Sequence, residues 1–507
     1  MHDVVIVGGG PVGLFLACEL GLAGCTVLVL EREPDPRTPW KALPLGMRGL
    51  NAGSVEAFYR RGMLSVLGVD DDPHTSPRNV SHFAGMTLDP AKVDVTTLPS
   101  PALEGVMTSL EAVEAVLSGR AAELGVEIER GVVVDAIAQD DEGVEARAGE
   151  RVFPARWLVG CDGGRSAVRG LAGFEFVGTE PLLTGYTAFT TIADPEKLSP
   201  GFALTPHGMY LRTPVEGHIG LMDFDGGVFD RSQPPAREHL QEVLRRISGT
   251  DVTLSEVHLA SSFTDRAMQT TTYRRERVLL AGDAAHIHSP LGGQGLNLGI
   301  GDAVNLGWKL AATVHGYAPD GLLDTYTTER HPVGARVLDW SRAQVAVMRP
   351  GQNAAALQGL VRALLSTPDG TTHVFEQTSG LSTRYDLGGE HPLVGRDAPD
   401  FRLGDGVRLG ELLQRGRGVL LDFRGDLGDA ARAWEGRIHH SAGPAEDDLG
   451  LDAVLVRPDG VVAWAGEGRR FEEAAGRWFG APEPLGAPHR PGGSGRVSWS
   501  NSTSTSS

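Results

Sequence analysis

The sequence predicts an α/β protein: a Rossmann-like domain, a β-rich domain set into it, and a smaller α/β domain towards the C-terminal end. Three observations carry that prediction. A β-α-β unit with a glycine turn opens the chain. The texture changes to short alternating segments between about 173 and 270. An apolar strand and a long helical pattern then restore the first texture.

Asp3–Val7 is a short apolar run of strand type, followed by Gly8-Gly9-Gly10-Pro11-Val12-Gly13. A helical pattern continues to about Ala23, with Leu14, Leu16, Ala17 and Leu20 on one side. Thr26–Leu30 is a second apolar run and ends in Glu31-Arg32. Helical spacing predicts a helix over Leu110–Leu124, and Val126–Ile128 reads as a strand. Thr184–Ile192, Met209–Thr213 and His218–Phe224 alternate as antiparallel strands do. Val278–Ala281 is again a buried strand, and a long helix is expected from about Leu296 to Val314. Residues 351–390 read as a linker. Beyond it, Gly418–Phe423 and Ala453–Val456 read as buried strands, with a turn at Pro458-Asp459-Gly460 before Val461–Trp464. Residues 486–507 lack the apolar content for a core and read as a disordered tail.

Composition narrows the function. With 41% hydrophobic and 22% charged residues, the 507-residue chain can bury a core. Lys+Arg 46 against Asp+Glu 65 leaves a net charge of −19, which argues against nucleic acid or an anionic membrane as partner. Cys18, Cys25 and Cys161 are the only cysteines, too few for a disulfide framework or a cysteine-based metal site. No segment reaches the roughly 18 apolar residues of a membrane helix. A cytoplasmic protein, monomer or homodimer, is expected.

The chemistry sits in glycine turns. In the first, Gly8 permits a tight turn, Gly10 lets a pyrophosphate approach the backbone, and Gly13 allows helix and strand to pack closely. The helix beginning near Pro11 and Val12 presents its positive end to the phosphates, and Glu31 is placed to accept hydrogen bonds from ribose hydroxyls. In the second, Arg277–Asn297, a strand runs into Gly282-Asp283. Gly292, Gly293, Gln294, Gly295, Leu296 and Asn297 then open a helix whose free N–H groups suit developing negative charge. Asp283 is suited to a sugar or ribityl hydroxyl. His286 and His288 have a spacing that can bind metal, but with no third ligand in sight they read as structural residues. Tyr186, Tyr210, Met222 and Phe224 suit either an aromatic pocket or plain core packing.

These residues, with Trp157–Arg169 and its Asp162-Gly163 pair, resemble the motifs of the group A flavoprotein monooxygenases, aromatic hydroxylases with a p-hydroxybenzoate hydroxylase-like fold. The three motifs occur in family order, and the likeness covers about residues 1–350. Asp397–Asp400 and Val454–Gly460 look like the thioredoxin-like C-terminal domain of the polyketide-tailoring branch, here without redox cysteines. The resemblance implies an FAD-binding domain over 1–172, with part of the substrate domain near 75–108. It further implies a β-rich substrate domain over 173–270, the rest of the FAD domain over 271–350, and a thioredoxin-like domain over 391–485. Further cofactor contacts are implied for Arg32, Lys41, Leu110 and Val134. The chain departs from the family pattern at Lys41-Ala42, at a short insertion near Gly49–Asn51, and at Leu110 where a glutamine is usual; all three flank the place where the flavin moves.

What the resemblance implies is an FAD- and NAD(P)H-dependent monooxygenase, NADPH favoured, hydroxylating an aromatic, polyketide-derived small molecule with O₂ through a flavin C4a-hydroperoxide. Pro290, Leu291 and Gly292 then form the flavin C4a environment, with no side-chain nucleophile and no metal. Baeyer–Villiger oxygenation of a ketone, antibiotic-inactivating hydroxylation, and a flavin-binding module without turnover are the competing readings. A halogenase lacks its Trp-x-Trp-x-Ile-Pro element here, and a dithiol oxidoreductase lacks its cysteine pair.

Overall fold

The apolar runs come together as one parallel sheet. Its order is Glu127–Arg130, Val27–Glu31, His2–Val7, Arg151–Gly160 and Val278–Leu280, with Arg274–Arg275 antiparallel at the edge. Val4, Val5, Ile6, Val29, Leu158 and Val159 are fully buried, as expected for a parallel sheet covered on both faces. Helix Pro11–Leu22 packs on Leu110–Glu123 and on the long helix Gln294–Val314. This computed structural model describes residues 1–68, 82–94, 105–389, 391–467 and 470–483; the tail expected over 486–507 and much of the segment near 75–108 lie outside them.

The β-rich segment is a five-stranded antiparallel sheet in the order Gly201–Thr205, Gly208–Arg212, His218–Asp223, Thr184–Ile192, Leu254–Thr264. Its two faces have different partners. Tyr186, Tyr210, Ile219 and Leu221 pack under helix Arg237–Ser248, with Leu240, Val243, Leu244 and Ile247. Tyr186 also hydrogen-bonds His239 at 2.9 Å, so both tyrosines belong to the core. The opposite face, with Met209, Met222 and Phe224, joins an apolar cluster that includes Leu291, Val345 and Met348. Two of the four residues offered for a pocket therefore face away from the second glycine turn, and two face it.

Residues 351–390, expected as a linker, instead carry helices Gln352–Leu365 and Pro368–Ser379. Thr367 caps the second through the Gly370 N–H, with Pro368 in its first turn. Beyond them stands a four-stranded sheet in the order Ile438–Ala442, Gly418–Asp422, Ala453–Val456, Val462–Gly466, backed by helix Phe471–Phe479. A fully buried ionic group joins this part to the rest: Arg457 bonds Glu329 at 2.9 and 2.8 Å and Asp459 at 3.0 Å, while Lys309 bonds the same Glu329 at 2.8 Å. No helix among the described residues is long and apolar enough to cross a membrane.

Candidate functional site

Strand register brings the motifs together. Val7 lies beside Leu30 on one side and Gly160 on the other, and Gly160 beside Leu280. Gly8, Glu31, Cys161-Asp162 and Ala281-Gly282 therefore follow one another along the C-terminal edge of the sheet, where open α/β folds bind ligands. Gly8 has φ +112°, and a Cβ there would strike the Cys161 carbonyl. A Cβ on Gly13 would strike the Gly8 carbonyl oxygen. Both positions require glycine for the turn itself.

Gly10, Gly163 and Gly293 behave differently: a Cβ at any of them would meet no heavy atom within 4 Å. The helices starting at Pro11 and Gln294 have no side-chain cap hydrogen bond, so no capping side chain takes the N–H groups of their first turns. Around this cradle lie buried polar atoms with no partner among the described residues: Arg130 Nη1, His288 Nε2 and Gln294 Nε2. Uncapped helix ends, side-chain-free turns and orphaned polar atoms, donors on Arg130 and Gln294 and an acceptor on His288 whose Nδ1 donates to the Ser289 carbonyl, are what a dinucleotide's phosphates, hydroxyls and ring heteroatoms would satisfy, so the residues fit FAD.

One end of the cradle is polar. Glu31 Oε2 accepts from the Gly9 N–H at 2.6 Å, Oε1 accepts from the Glu33 N–H at 2.8 Å, and Arg130 is its register neighbour. Lys41 Nζ pairs with Glu114 at 2.7 Å. Burial pushes the Glu114 carboxyl up, against the pull of Lys41. The Lys41 carbonyl accepts from the Glu111 N–H and the Gly46 carbonyl from the Leu110 N–H, so Lys41 and Leu110 brace one loop. Arg32 points outward and Val134 is buried.

At the other end, Gly292 has φ +78° within the turn Leu291–Gly293. Asn297 fastens that turn to the segment of the apparent insertion: its Nδ2 donates to the Gly49 and Gly293 carbonyls at 2.9 and 2.8 Å, and its Oδ1 accepts from the Asn51 N–H at 2.9 Å. Asp283 is exposed, with its carboxylate near Gly295. Arg48, half-buried, feels the charge of Asp283 on one side and lowers His218 on the other, so it stands between the glycine turn and the β-rich sheet. Burial is the larger cause in both shifts, and it keeps the His218 ring neutral.

Asp162 is spent inside the protein. Its Oδ1 accepts from the Ser166 hydroxyl at 2.5 Å and its Oδ2 from the Ala167 and Val168 N–H groups at 2.7 and 3.1 Å, capping the short helix that follows. Arg169 then ties the turn to the second loop through the Ala284 carbonyl at 3.0 Å. His286 pairs with Asp302 at 2.7 Å, Asp302 also accepts from the Gly282 N–H at 3.0 Å, and Arg330 donates to it at 2.8 Å. Sequence reasoning missed Arg130, Asp302 and Arg330, and gave Arg48 no role of its own. Only the acid within the helix after Gly292–Asn297 offered any signal. Among the described residues, no group of three or more His, Cys, Asp or Glu is placed to hold a metal ion.

Comparison with known proteins gives a consistent result. Residues 1–341 match the family described as FAD binding domain, and residues 391–482 match that described as aromatic-ring hydroxylase, C-terminal. The chain is 46% identical over 503 residues to a monooxygenase of Claviceps purpurea, covering 95% of this chain and 98% of that one. It is 41% identical over 498 residues to the rifampicin monooxygenase of Streptomyces venezuelae, covering 95% and 99%. Among solved structures, the anhydrotetracycline hydroxylase OxyS of Streptomyces rimosus superposes with a TM-score of 0.84 at 36% identity, covering 95% of this chain and 99% of that one.

Proposed function

Because the chain belongs to the FAD-dependent aromatic-ring hydroxylases, flavin-dependent monooxygenases, we propose that it hydroxylates a polycyclic phenol of aromatic-polyketide type, with NADPH favoured over NADH as reductant. The observation that carries this reading is the shared apolar cluster of Leu291 with Met209 and Met222. It makes one wall from the second glycine turn and the β-rich sheet, suited to a planar ring. The two Streptomyces relatives, named for rifampicin and anhydrotetracycline, support a multi-ring substrate.

Bound FAD supplies the electron transfer from the nicotinamide and the activation of O₂. The chain supplies the rest. Gly10, Pro11, Val12 and Gly13 would hold the pyrophosphate at a helix N-terminus, with Gly8 shaping the turn and Glu31 and Arg130 taking the ribose end. Lys41, Leu110 and Val134 would support that end from behind. Asp283 would accept from ribityl hydroxyls, with Asp162, Gly163 and Gly282 shaping the strand ends around it. Uncapped N–H groups in the first turn after Gly293 would stabilise negative charge on the ring, an arrangement that requires no reorganisation during reaction. Pro290, Leu291 and Gly292 would exclude water on the substrate side.

The test is an NADPH- and NADH-oxidation screen of the FAD-loaded protein against phenols, anthraquinones and tetracyclic polyketides, with NMR of each product. Strong stimulation by a polycyclic phenol, with one new ring hydroxyl, is the expected result. An inserted ester oxygen would establish Baeyer–Villiger chemistry instead, and a complete lack of stimulation would count against turnover altogether.

A further inference from the structure

Helix Thr325–Met348 crosses the wall formed by the Pro290–Gly292 turn and the β-rich sheet. It brings two buried donors there that have no partner among the described residues. Gln344 is fully buried, and its Oε1 accepts from the Ala84 N–H at 3.0 Å. That bond settles which way the amide points, because the acceptor is spoken for and Nε2 is left free. Nε2 has no partner among the described residues, and a Cβ built on Gly292 would lie 3.6 Å from it. One turn earlier, Trp340 presses its ring on Phe83 at 4.8 Å, and its buried Nε1–H is also unpartnered. Residues four apart share a helix face, so both donors belong to one surface.

The arrangement is held in place. Ala84 sits at the tip of the hairpin formed by His82–Phe83 and Met86–Thr87, at φ +51°, a conformation that side chains other than glycine seldom adopt. The Gln344 carbonyl pins that tip, and Phe83, next in sequence, carries the Trp340 contact. Burying two N–H donors without acceptors is costly, and native interiors rarely do it unless something else completes the bonds. The surrounding cluster of Leu291, Met209, Met222 and Met348 is apolar.

We propose that Gln344 Nε2, assisted by Trp340 Nε1, is a substrate-recognition site that takes a carbonyl or phenolate oxygen of the aromatic substrate and so fixes which ring edge faces the Pro290–Gly292 turn. The inference rests on the function proposed above and adds the functional group that the substrate must carry. Two unpartnered donors at that spot favour an oxygen acceptor over a bare hydrocarbon edge. A hydroxyl retaining its proton gains less than a carbonyl or phenolate, which uses both donors.

The test is calorimetric binding of 1,8-dihydroxyanthraquinone and of anhydrotetracycline to the full-length, FAD-loaded protein. Gln344→Glu keeps the acceptor for Ala84 and replaces only the donor. Affinity is expected to fall at least tenfold at pH 8.5 and to recover towards pH 6, as the buried carboxyl takes up a proton and donates again; the wild type shows no such recovery. Trp340→Phe keeps the packing on Phe83 and should lose affinity several-fold at every pH. It carries the test alone if the glutamate variant does not fold. If both folded variants bind the probes as the wild type does, the donors do not touch the substrate and the proposal is overturned. If the wild type itself binds neither probe, the substrate class proposed above fails and this site falls with it.

Discussion

Gly10→Val is expected to yield a folded protein that binds FAD more than a hundredfold more weakly than the wild type. Gly10 lies just ahead of helix Pro11–Leu22, in an extended conformation with φ −78° and ψ −179° that a β-branched residue adopts without strain. A Cβ there meets nothing within 4 Å, so the protein itself has room for it. The space it enters is the one that the phosphates need in order to reach the helix N–H groups. A hundredfold loss corresponds to about 2.7 kcal/mol, the scale of a displaced charged hydrogen bond or two. Flavin-fluorescence titration measures the affinity, and circular dichroism checks the fold. Gly13→Ala makes the contrast, because its Cβ collides with the Gly8 carbonyl and the turn must distort before any cofactor arrives. If Gly10→Val binds FAD normally, the cradle is not where the pyrophosphate lies.

Arg457→Ala should be the most destabilising single change in the C-terminal part, at about 3–5 kcal/mol. Arg457 is completely buried and serves Glu329 and Asp459 at once, with Asn305 and Lys309 completing the group. Removing it leaves two carboxylates in the interior with Lys309 as the remaining cation. Burial alone would raise the Glu329 carboxyl, but Arg457 first and Lys309 second outweigh it and hold it well below the usual carboxylate range. A depressed carboxyl contributes stability above its unfolded value of about 4.3 and loses it as pH falls further. The wild type should therefore weaken on acidification below that value, whereas the variant should start weaker and show a flatter acid limb. Thermal unfolding followed between pH 7 and 3 measures both. Equal midpoints for the two proteins at pH 7 would mean that the ionic group does not join the two parts.

The glycine turns were legible because their chemistry is local. Strand, turn and helix follow one another along the chain at Asp3–Leu22 and again at Val278–Val314, and the backbone requirement is written in the glycines themselves. Charged residues recruited into the interior were not legible. Nothing local marks Lys309, Glu329, Arg330 and Arg457 as buried, because their partners arrive from distant segments, as Glu329 does for Arg457. The same holds for Asp302, whose three partners lie at Gly282, His286 and Arg330. Alternation in Thr184–Ile192 and His218–Asp223 revealed two faces but not which one helix Arg237–Ser248 would cover, so Tyr186 and Met222 looked alike. Helix Gln352–Leu365 escaped because it buries no residue fully: only Val361 and Leu365 rest partly on a core, while Leu360 and Leu364 stay exposed.

The central claim is that the edge of the parallel sheet, from Glu31 to Asn297, closes around one FAD molecule. The most direct measurement is the flavin content of the purified full-length protein after incubation with excess FAD and removal of the unbound fraction. One FAD per chain, released unchanged on denaturation, is the predicted result. A protein that stays colourless after that treatment while remaining folded would contradict it.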